Sequence, residues 1–241
     1  MKIPTILLYA LLLSFHFSTD LLSAADQAVA KDNQLTSAEK AEGWRLLFNG
    51  QTTAGWRSFK KQTFPEKGWI VEDGIFKKVP HVNGGDIITV DEFTDFDFQW
   101  DWRIATNANN GIKYFITEER QEAIGHEYQM IDDATVEGKT KQSTASFYDV
   151  LPPLEPKPLK PPGQWNHSRV LVRGDHVEHW LNGTKVLEYE LGSEQVLAAV
   201  AESKFKTVRG FGTKIKGHIL LTDHHDEAWF RNLKIRELGA K

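Results

Sequence analysis

The sequence predicts an all-β protein, a jelly-roll β-sandwich with one short helix. Three observations lead there. Asp95 to Ile104 alternates without a break: Phe96, Phe98, Trp100, Trp102 and Ile104 fall on one face, and Asp97, Gln99, Asp101 and Arg103 on the other, which is the period of a half-buried strand. Turn signals recur at short intervals, among them Asn49-Gly50, Asp73-Gly74, Asn83-Gly84-Gly85, Gly174-Asp175 and Asn182-Gly183, residues that accept the positive φ of tight hairpins. Only Ser193 to Ser203, rich in alanine, reads convincingly as helix.

The strands follow in order. Gly43 to Gly50 reads as a first strand closed by its Asn-Gly turn. Trp69 to Phe76 is a hairpin about Asp73-Gly74, and Asp86 to Val90 is a strand. The aromatic row of Asp95 to Ile104 is assigned to the core. Asn107 to Gly111 reads as a turn-forming loop, followed by a strand from Ile112 to Thr117. Another strand runs from His126 to Asp132, and Ala145 to Asp149 is short and strand-like. Leu151 to Pro162 holds six of the nine prolines; it cannot enter a sheet interior and is expected as an extended surface loop, able to form one wall of a site. Ser168–Arg173 and His176–Leu181 form a hairpin, Thr184–Leu191 follows, and Gly217–Thr222 and Glu227–Glu237 close the fold.

The chain ends and the composition bound the function. Met1-Lys2, the apolar run Ile6–Phe17 and the small residues Ser23-Ala24-Ala25 have the form of a secretory signal peptide cleaved after Ala25. A periplasmic or extracellular location is expected, with no membrane span after cleavage. Residues 26–42 read as a flexible polar lead-in, and 43–238 as a single domain, long enough to bury its own core without disulfides. There is no cysteine, which removes thiol nucleophiles and Cys-ligated metals. A net charge of −4 argues against nucleic acid as a partner.

The chemistry is expected around His126-Glu127-Tyr128-Gln129-Met130-Ile131-Asp132. Period-2 alternation places Glu127, Gln129 and Ile131 on one face and His126, Tyr128 and Met130 on the other. Tyr128 and Met130 then anchor the strand, and a carboxylate and an amide stand side by side on the opposite face, a pair suited to sugar hydroxyls.

Several stretches together resemble one family. They are Leu47-Phe48-Asn49-Gly50 with Gly55-Trp56, Glu72-Asp73-Gly74, Asn110-Gly111-Ile112, Glu127-Tyr128-Gln129, Gly163-Gln164-Trp165-Asn166, His179-Trp180-Leu181-Asn182-Gly183, Ser203-Lys204-Phe205, Gly217-His218-Ile219, Asp223-His224 and Phe230-Arg231-Asn232. In this order they resemble the domain of unknown function 1080 family, described as 3-keto-disaccharide hydrolases or 3-keto-glucoside 1,2-lyase/hydratases, with a concanavalin-like jelly roll. The resemblance covers about residues 43–238. Its closing motif, Leu-Gln-Asp-His-Gly in the family, is here Leu221-Thr222-Asp223-His224-His225, so the glutamine and the glycine are absent.

The resemblance implies a secreted enzyme that cleaves 3-keto-glycosides. A ketone at C3 acidifies the C2 hydrogen; a base removes it, the C1 aglycone leaves by elimination, and water adds back. Glu127, His179 and His224 are the catalytic candidates, and Gln129, Arg103, Tyr148 and Asp132 the substrate-binding ones. A divalent metal is an admissible cofactor, with Glu127, Asp223 and His224 as its candidate ligands. Two rivals stand beside this reading. A direct β-glucanase would use Glu127-x-Gln129-x-x-Asp132, if a bulge returned Asp132 to the Glu127 face. A non-catalytic carbohydrate-binding module would use the same face without turnover. Both rivals share the expected partner, a glycoside or oligosaccharide.

Overall fold

A computed structural model describes residues 31–239; the signal peptide expected at 1–25 lies outside the described residues. The chain forms two antiparallel sheets packed face to face as a jelly-roll sandwich. Its strands are β1 (Arg45–Leu46), β2 (Trp56–Ser58), β3 (Trp69–Glu72), β4 (Ile75–Lys78), β5 (Ile87–Thr89), β6 (Phe96–Ile104), β7 (Asn109–Ile116), β8 (His126–Ile131), β9 (Asn166–Arg173), β10 (His176–Leu181), β11 (Thr184–Glu190), β12 (His218–Leu221) and β13 (Ala228–Glu237). The larger sheet runs β11-β10-β9-β6-β13-β4-β3, with β1 also paired to β13; the smaller runs β2-β5-β12-β7-β8.

The aromatic row of β6 is the floor of the core. Phe96, Phe98, Trp100, Trp102 and Ile104 are all buried. They face Ile112, Tyr114, Tyr128, Met130, Ile219 and Leu221 of the smaller sheet in one hydrophobic cluster. Trp100 meets Tyr128 edge to face, with centroids 5.0 Å apart, and its Nε1–H points at Met130 Sδ, 3.4 Å away. Trp102 Nε1–H donates to Ser168 Oγ at 2.8 Å, so the indoles enter the core without an orphaned donor. The β3–β4 hairpin turns on Asp73 and Gly74, whose φ values are +50° and +75°, as its Asp-Gly pair predicts.

Three expectations are corrected. Residues 31–42 are not a loose lead-in. Asn33 is buried, its N–H donates to Asn232 Oδ1 and its side chain to the Gly74 carbonyl. Helix α1 (Ser37–Ala41) follows with a Thr36/Glu39 capping box. Asn109, Asn110 and Gly111 belong to β7 rather than to a loop; turn-forming residues are held in the ladder because their partners on β8 supply the hydrogen bonds. The first strand shrinks to two residues because it only edges β13. Helix α2 (Glu194–Ala201) lies within the expected helix, capped by Ser193. No helix among the described residues is long and apolar enough to cross a membrane.

Candidate active site

The outer face of the smaller sheet carries the site. In the β7–β8 ladder Lys113 pairs with Glu127, Gly111 with Gln129 and Tyr114 with His126, with no register shift. Since Ile112, Tyr114, Tyr128 and Met130 point into the core, alternation turns Lys113, Glu127 and Gln129 outward. On the neighbouring strands Ile87 and Leu221 enter the core, while Ile88 and Leu220 form a separate outer cluster. Asp86 and Thr222, next along those strands, therefore share the outer face with Glu127.

Outward does not mean exposed here. Glu127 and Gln129 are 5% and 1% exposed, because segment 143–149 lies along the edge of β8. Ala145 N–H donates to the Gln129 carbonyl, Tyr148 N–H to the Glu127 carbonyl, and Tyr128 bridges to Phe147. Phe147 faces the core, so Ser146 and Tyr148 face the site. Beside them lies a cavity of about 540 Å³ lined by Asp86, Lys113, Glu127, Lys204 and the segments 122–125 and 205–208.

Burial is the main influence on Glu127 and raises its carboxyl above the ordinary value, against the pull of Lys113, His224 and Lys204; Asp86 adds to the rise. A carboxylate tuned upward in a cavity suits a general base. Lys113 Nζ also reaches the Ala123 carbonyl at 3.3 Å. Lys204 comes from the end of α2. Its N–H donates to Asp149 Oδ2 at 2.8 Å, and its Nζ stands 4.2 Å from the Tyr148 ring centroid. Partial burial lowers its pKa although Glu127 and Asp149 oppose this. Burial, with the charges of Glu127 and Asp149, keeps the Tyr148 hydroxyl above its ordinary value, so it is protonated at neutral pH. Two atoms here are buried and unpartnered, Gln129 Oε1 and Ser146 Oγ. Native interiors leave few such atoms, and a substrate hydroxyl is a fitting partner.

The expected residues divide. Glu127 lines the cavity, Gln129 shares its face of β8, and Tyr148 stands close enough for the Glu127 charge to act on its hydroxyl. His224 is exposed, close enough for its charge to act on Glu127. Four others stand elsewhere. His179 is fully buried between the sheets, with Nε2 2.9 Å from Tyr114 Oη and Nδ1 3.0 Å from the Ala145 carbonyl. Arg103 lies on the outer face of the other sheet, its guanidinium over Trp229 and Trp165 at 4.5 and 5.0 Å. Asp132 accepts from Asn107 N–H and Ala134 N–H. The regular β7–β8 register contains no bulge to return it to the Glu127 face, so the paired-carboxylate geometry of a glucanase is not formed. Asp223 is saturated: Lys78 Nζ and His225 N–H meet Oδ1, and Gly84 N–H and Gly85 N–H meet Oδ2. Asp86, Lys113, Lys204 and Ser146 enter the site without having been candidates for it; Lys204 stands in the sequence only within the Ser203-Lys204-Phe205 stretch of the resemblance.

The proposed metal set does not fit. Asp223 has no free lone pair directed at Glu127, and two lysines flank that carboxylate. Among the described residues, three ligand atoms within 4.8 Å of one another occur at His176, Glu178 and Glu188. This group is on β10 and β11 of the other sheet, and Lys185 Nζ already contacts Glu178 and Glu188.

Residues 43–236 match the family model described as the 3-keto-alpha-glucoside-1,2-lyase-like domain. The chain belongs to the 3-keto-alpha-glucoside-1,2-lyase-like family. A relative from Bacteroides thetaiotaomicron, named 3-keto-disaccharide hydrolase, is 31% identical over 258 aligned positions, spanning 90% of this chain and 88% of the other. A crystal structure of a candidate glycosyl hydrolase from Parabacteroides distasonis is 37% identical with a TM-score of 0.78, covering 87% of this chain and 100% of that one. A second candidate glycosyl hydrolase from that organism is 27% identical with a TM-score of 0.66, covering 81% and 99%. In this family member, Thr222 occupies the place of the glutamine in the closing motif. Its hydroxyl is turned to Asn110 Oδ1 at 3.3 Å, so the shorter side chain is tied to its own sheet.

Proposed function

We propose that this protein is a secreted enzyme that cleaves 3-keto-glycosides by proton abstraction at C2, elimination at C1 and hydration. The observation that carries the reading is the Glu127 carboxylate, buried at a cavity between Lys113 and Lys204. Family membership and the name of the curated relative supply the substrate class.

In this reading Glu127 takes the C2 proton, and the electron pair moves to the C3 carbonyl oxygen as an enolate. An ammonium group stabilises that developing negative charge in a site of reduced dielectric. Collapse of the enolate breaks the C1–O bond and leaves a C1=C2 double bond conjugated to the ketone. The departing oxygen takes a proton from Lys204, whose lowered pKa eases the transfer, or from the neutral Tyr148 hydroxyl. Water then adds its oxygen to C1 and gives its second proton back to the Lys204 amine or the Tyr148 oxygen, and Glu127, its abstracted proton exchanged with solvent, protonates C2. Atoms balance as a net hydrolysis. Gln129 and Ser146 offer partners to sugar hydroxyls.

Secretion rests on the signal-like residues 1–25. The mechanism is tested with a substrate deuterated at C2 in ordinary water. Elimination and hydration predict a primary isotope effect and loss of deuterium from the 3-keto-glucose formed, faster than the loss from 3-keto-glucose incubated alone. Retention of deuterium with no isotope effect would support direct hydrolysis. Saturable binding of the sugar without turnover would leave a binding module.

A further inference from the structure

The segment 145–149 that walls the site is an improbable piece of backbone. Ala145 and Asp149, neither of them glycine, have φ of +69° and +63°. Such residues persist only where their surroundings over-determine them. Asp149 is fixed from outside, by Gln142 and by the N–H of Lys204. Ala145 is fixed from inside the sandwich, where His179 sits at the centre of a polar chain enclosed by aromatic rings. Its ring centroid lies 4.9 Å from Tyr128 and 6.0 Å from both Tyr114 and Tyr189.

The direction of that chain follows from its one unambiguous acceptor. The Ala145 carbonyl only accepts, so His179 Nδ1 carries the proton and Nε2 keeps its lone pair. Tyr114 Oη therefore donates to Nε2, and Tyr189 Oη donates to Tyr114 Oη. Burial lowers the pKa of His179 to about 4, although the Ala145 bond opposes this, so the ring is neutral at pH 7 and the tautomer is single. On the far side of the same peptide unit's residue, Ala145 N–H donates to the Gln129 carbonyl at 2.8 Å. Ala145 is thus held both to the interior chain and to β8.

We propose that His179 is a positioning residue, whose Nδ1–H anchors Ala145 from within the core and so sets Ser146 and Tyr148 against Glu127 and Gln129. It touches no substrate. Its effect on turnover is carried by the wall it holds, an inference that rests on the enzymatic reading of the site.

Two variants separate positioning from packing. His179→Asn keeps an amide donor near the place of Nδ1, and His179→Gln keeps a polar group near the place of Nε2 and gives up the Ala145 bond. Both remove an imidazole from the same core position. With a 3-keto-glucoside, the Gln variant is expected to lose about tenfold or more in kcat through misplacement of the wall. The Asn variant should recover most of that loss. Hydrogen exchange should quicken in 143–149 of the Gln variant alone. Equal losses in both variants, or none in either, would overturn the proposal. The wild-type protein provides an independent readout if a variant fails to fold: nitrogen-15 shifts of the His179 ring should report the Nδ1–H tautomer, and the Nε2–H tautomer would overturn the proposal. If wild type turns over no 3-keto-glycoside, the enzymatic reading fails, while the tautomer and exchange results still decide whether His179 anchors the segment.

Discussion

The Glu127 carboxylate occupies the space that a side chain on Gly111 would fill. A Cβ built at Gly111 would stand 2.9 Å from Glu127 Cδ and 3.0 Å from Cγ, closer still to Oε1. Gly111 is therefore the groove in β7 in which the base lies. Gly111→Ala is expected to expel the carboxylate rather than unfold the sheet. It should cost about 1–3 kcal/mol of stability and about a hundredfold in kcat/KM. Thermal denaturation and steady-state kinetics on a 3-keto-glucoside check both.

Glu127 is held against its own stability. Its folded-state pKa is raised above the unfolded value, chiefly by burial. Between those two values the folded state binds more protons, so stability falls as pH rises through that window. Replacing the group with a neutral amide removes this penalty. Glu127→Gln should therefore melt no lower than wild type at pH 7, while losing about 10²–10⁴-fold in turnover. A variant that melts well below wild type at that pH would contradict the placement of this carboxyl.

Much of the architecture was legible because strand alternation survives packing. The row Phe96, Phe98, Trp100, Trp102 could be read as core, and Glu127 and Gln129 as sharing the opposite face of their own strand. The same rule already spoke against His179 as a surface group: Val177, His179 and Leu181 share one face, and all three are buried. The motif resemblance drew it toward the site instead. Lys113 carried a readable signal too, lying between the inward Ile112 and Tyr114. Asp86 carried none and Lys204 only its place in the Ser203-Lys204-Phe205 stretch, since they reach Glu127 through β12 pairing with β5 and through the exit of α2. Nothing local announces such meetings. Arg103 looked like a polar partner for a sugar, but β6 belongs to the other sheet, and its outer face is on the far side of the molecule's core.

Lys113 should set the acid limb of the pH profile. Its charge pulls the Glu127 pKa down against the rise caused by burial. Lys113→Met removes that pull, so Glu127 stays protonated to higher pH. The acid limb of kcat/KM is expected to move upward in pH, with a lower plateau from the lost stabilisation of the enolate. An unmoved limb would separate Lys113 from the base.

Asp223 is predicted to act on stability. Lys78 and Asp223 form a buried ion pair at 3.0 Å, with side chains 0% and 3% exposed. Burial pushes the Asp223 carboxyl up, but the bonds from Lys78, Gly84, His225 and Gly85 together hold it below the ordinary value. Its contribution is therefore present above the unfolded pKa and lost as pH falls through the folded one. Asp223→Asn leaves the Lys78 ammonium buried without its counter-charge and should cost about 3–5 kcal/mol. At temperatures where the variant is folded, kcat should stay near wild type; a collapse of kcat restored by added divalent metal would return Asp223 to the site.

The most direct measurement is aglycone release from a chromogenic 3-keto-glucoside beside its unoxidised parent, with wild type and Glu127→Gln. Release from the keto sugar alone, abolished in the folded Glu127→Gln protein, is the expected result and places the C2 base at Glu127. Release from the parent glucoside, or undiminished release from the keto sugar by the Gln variant, would contradict it.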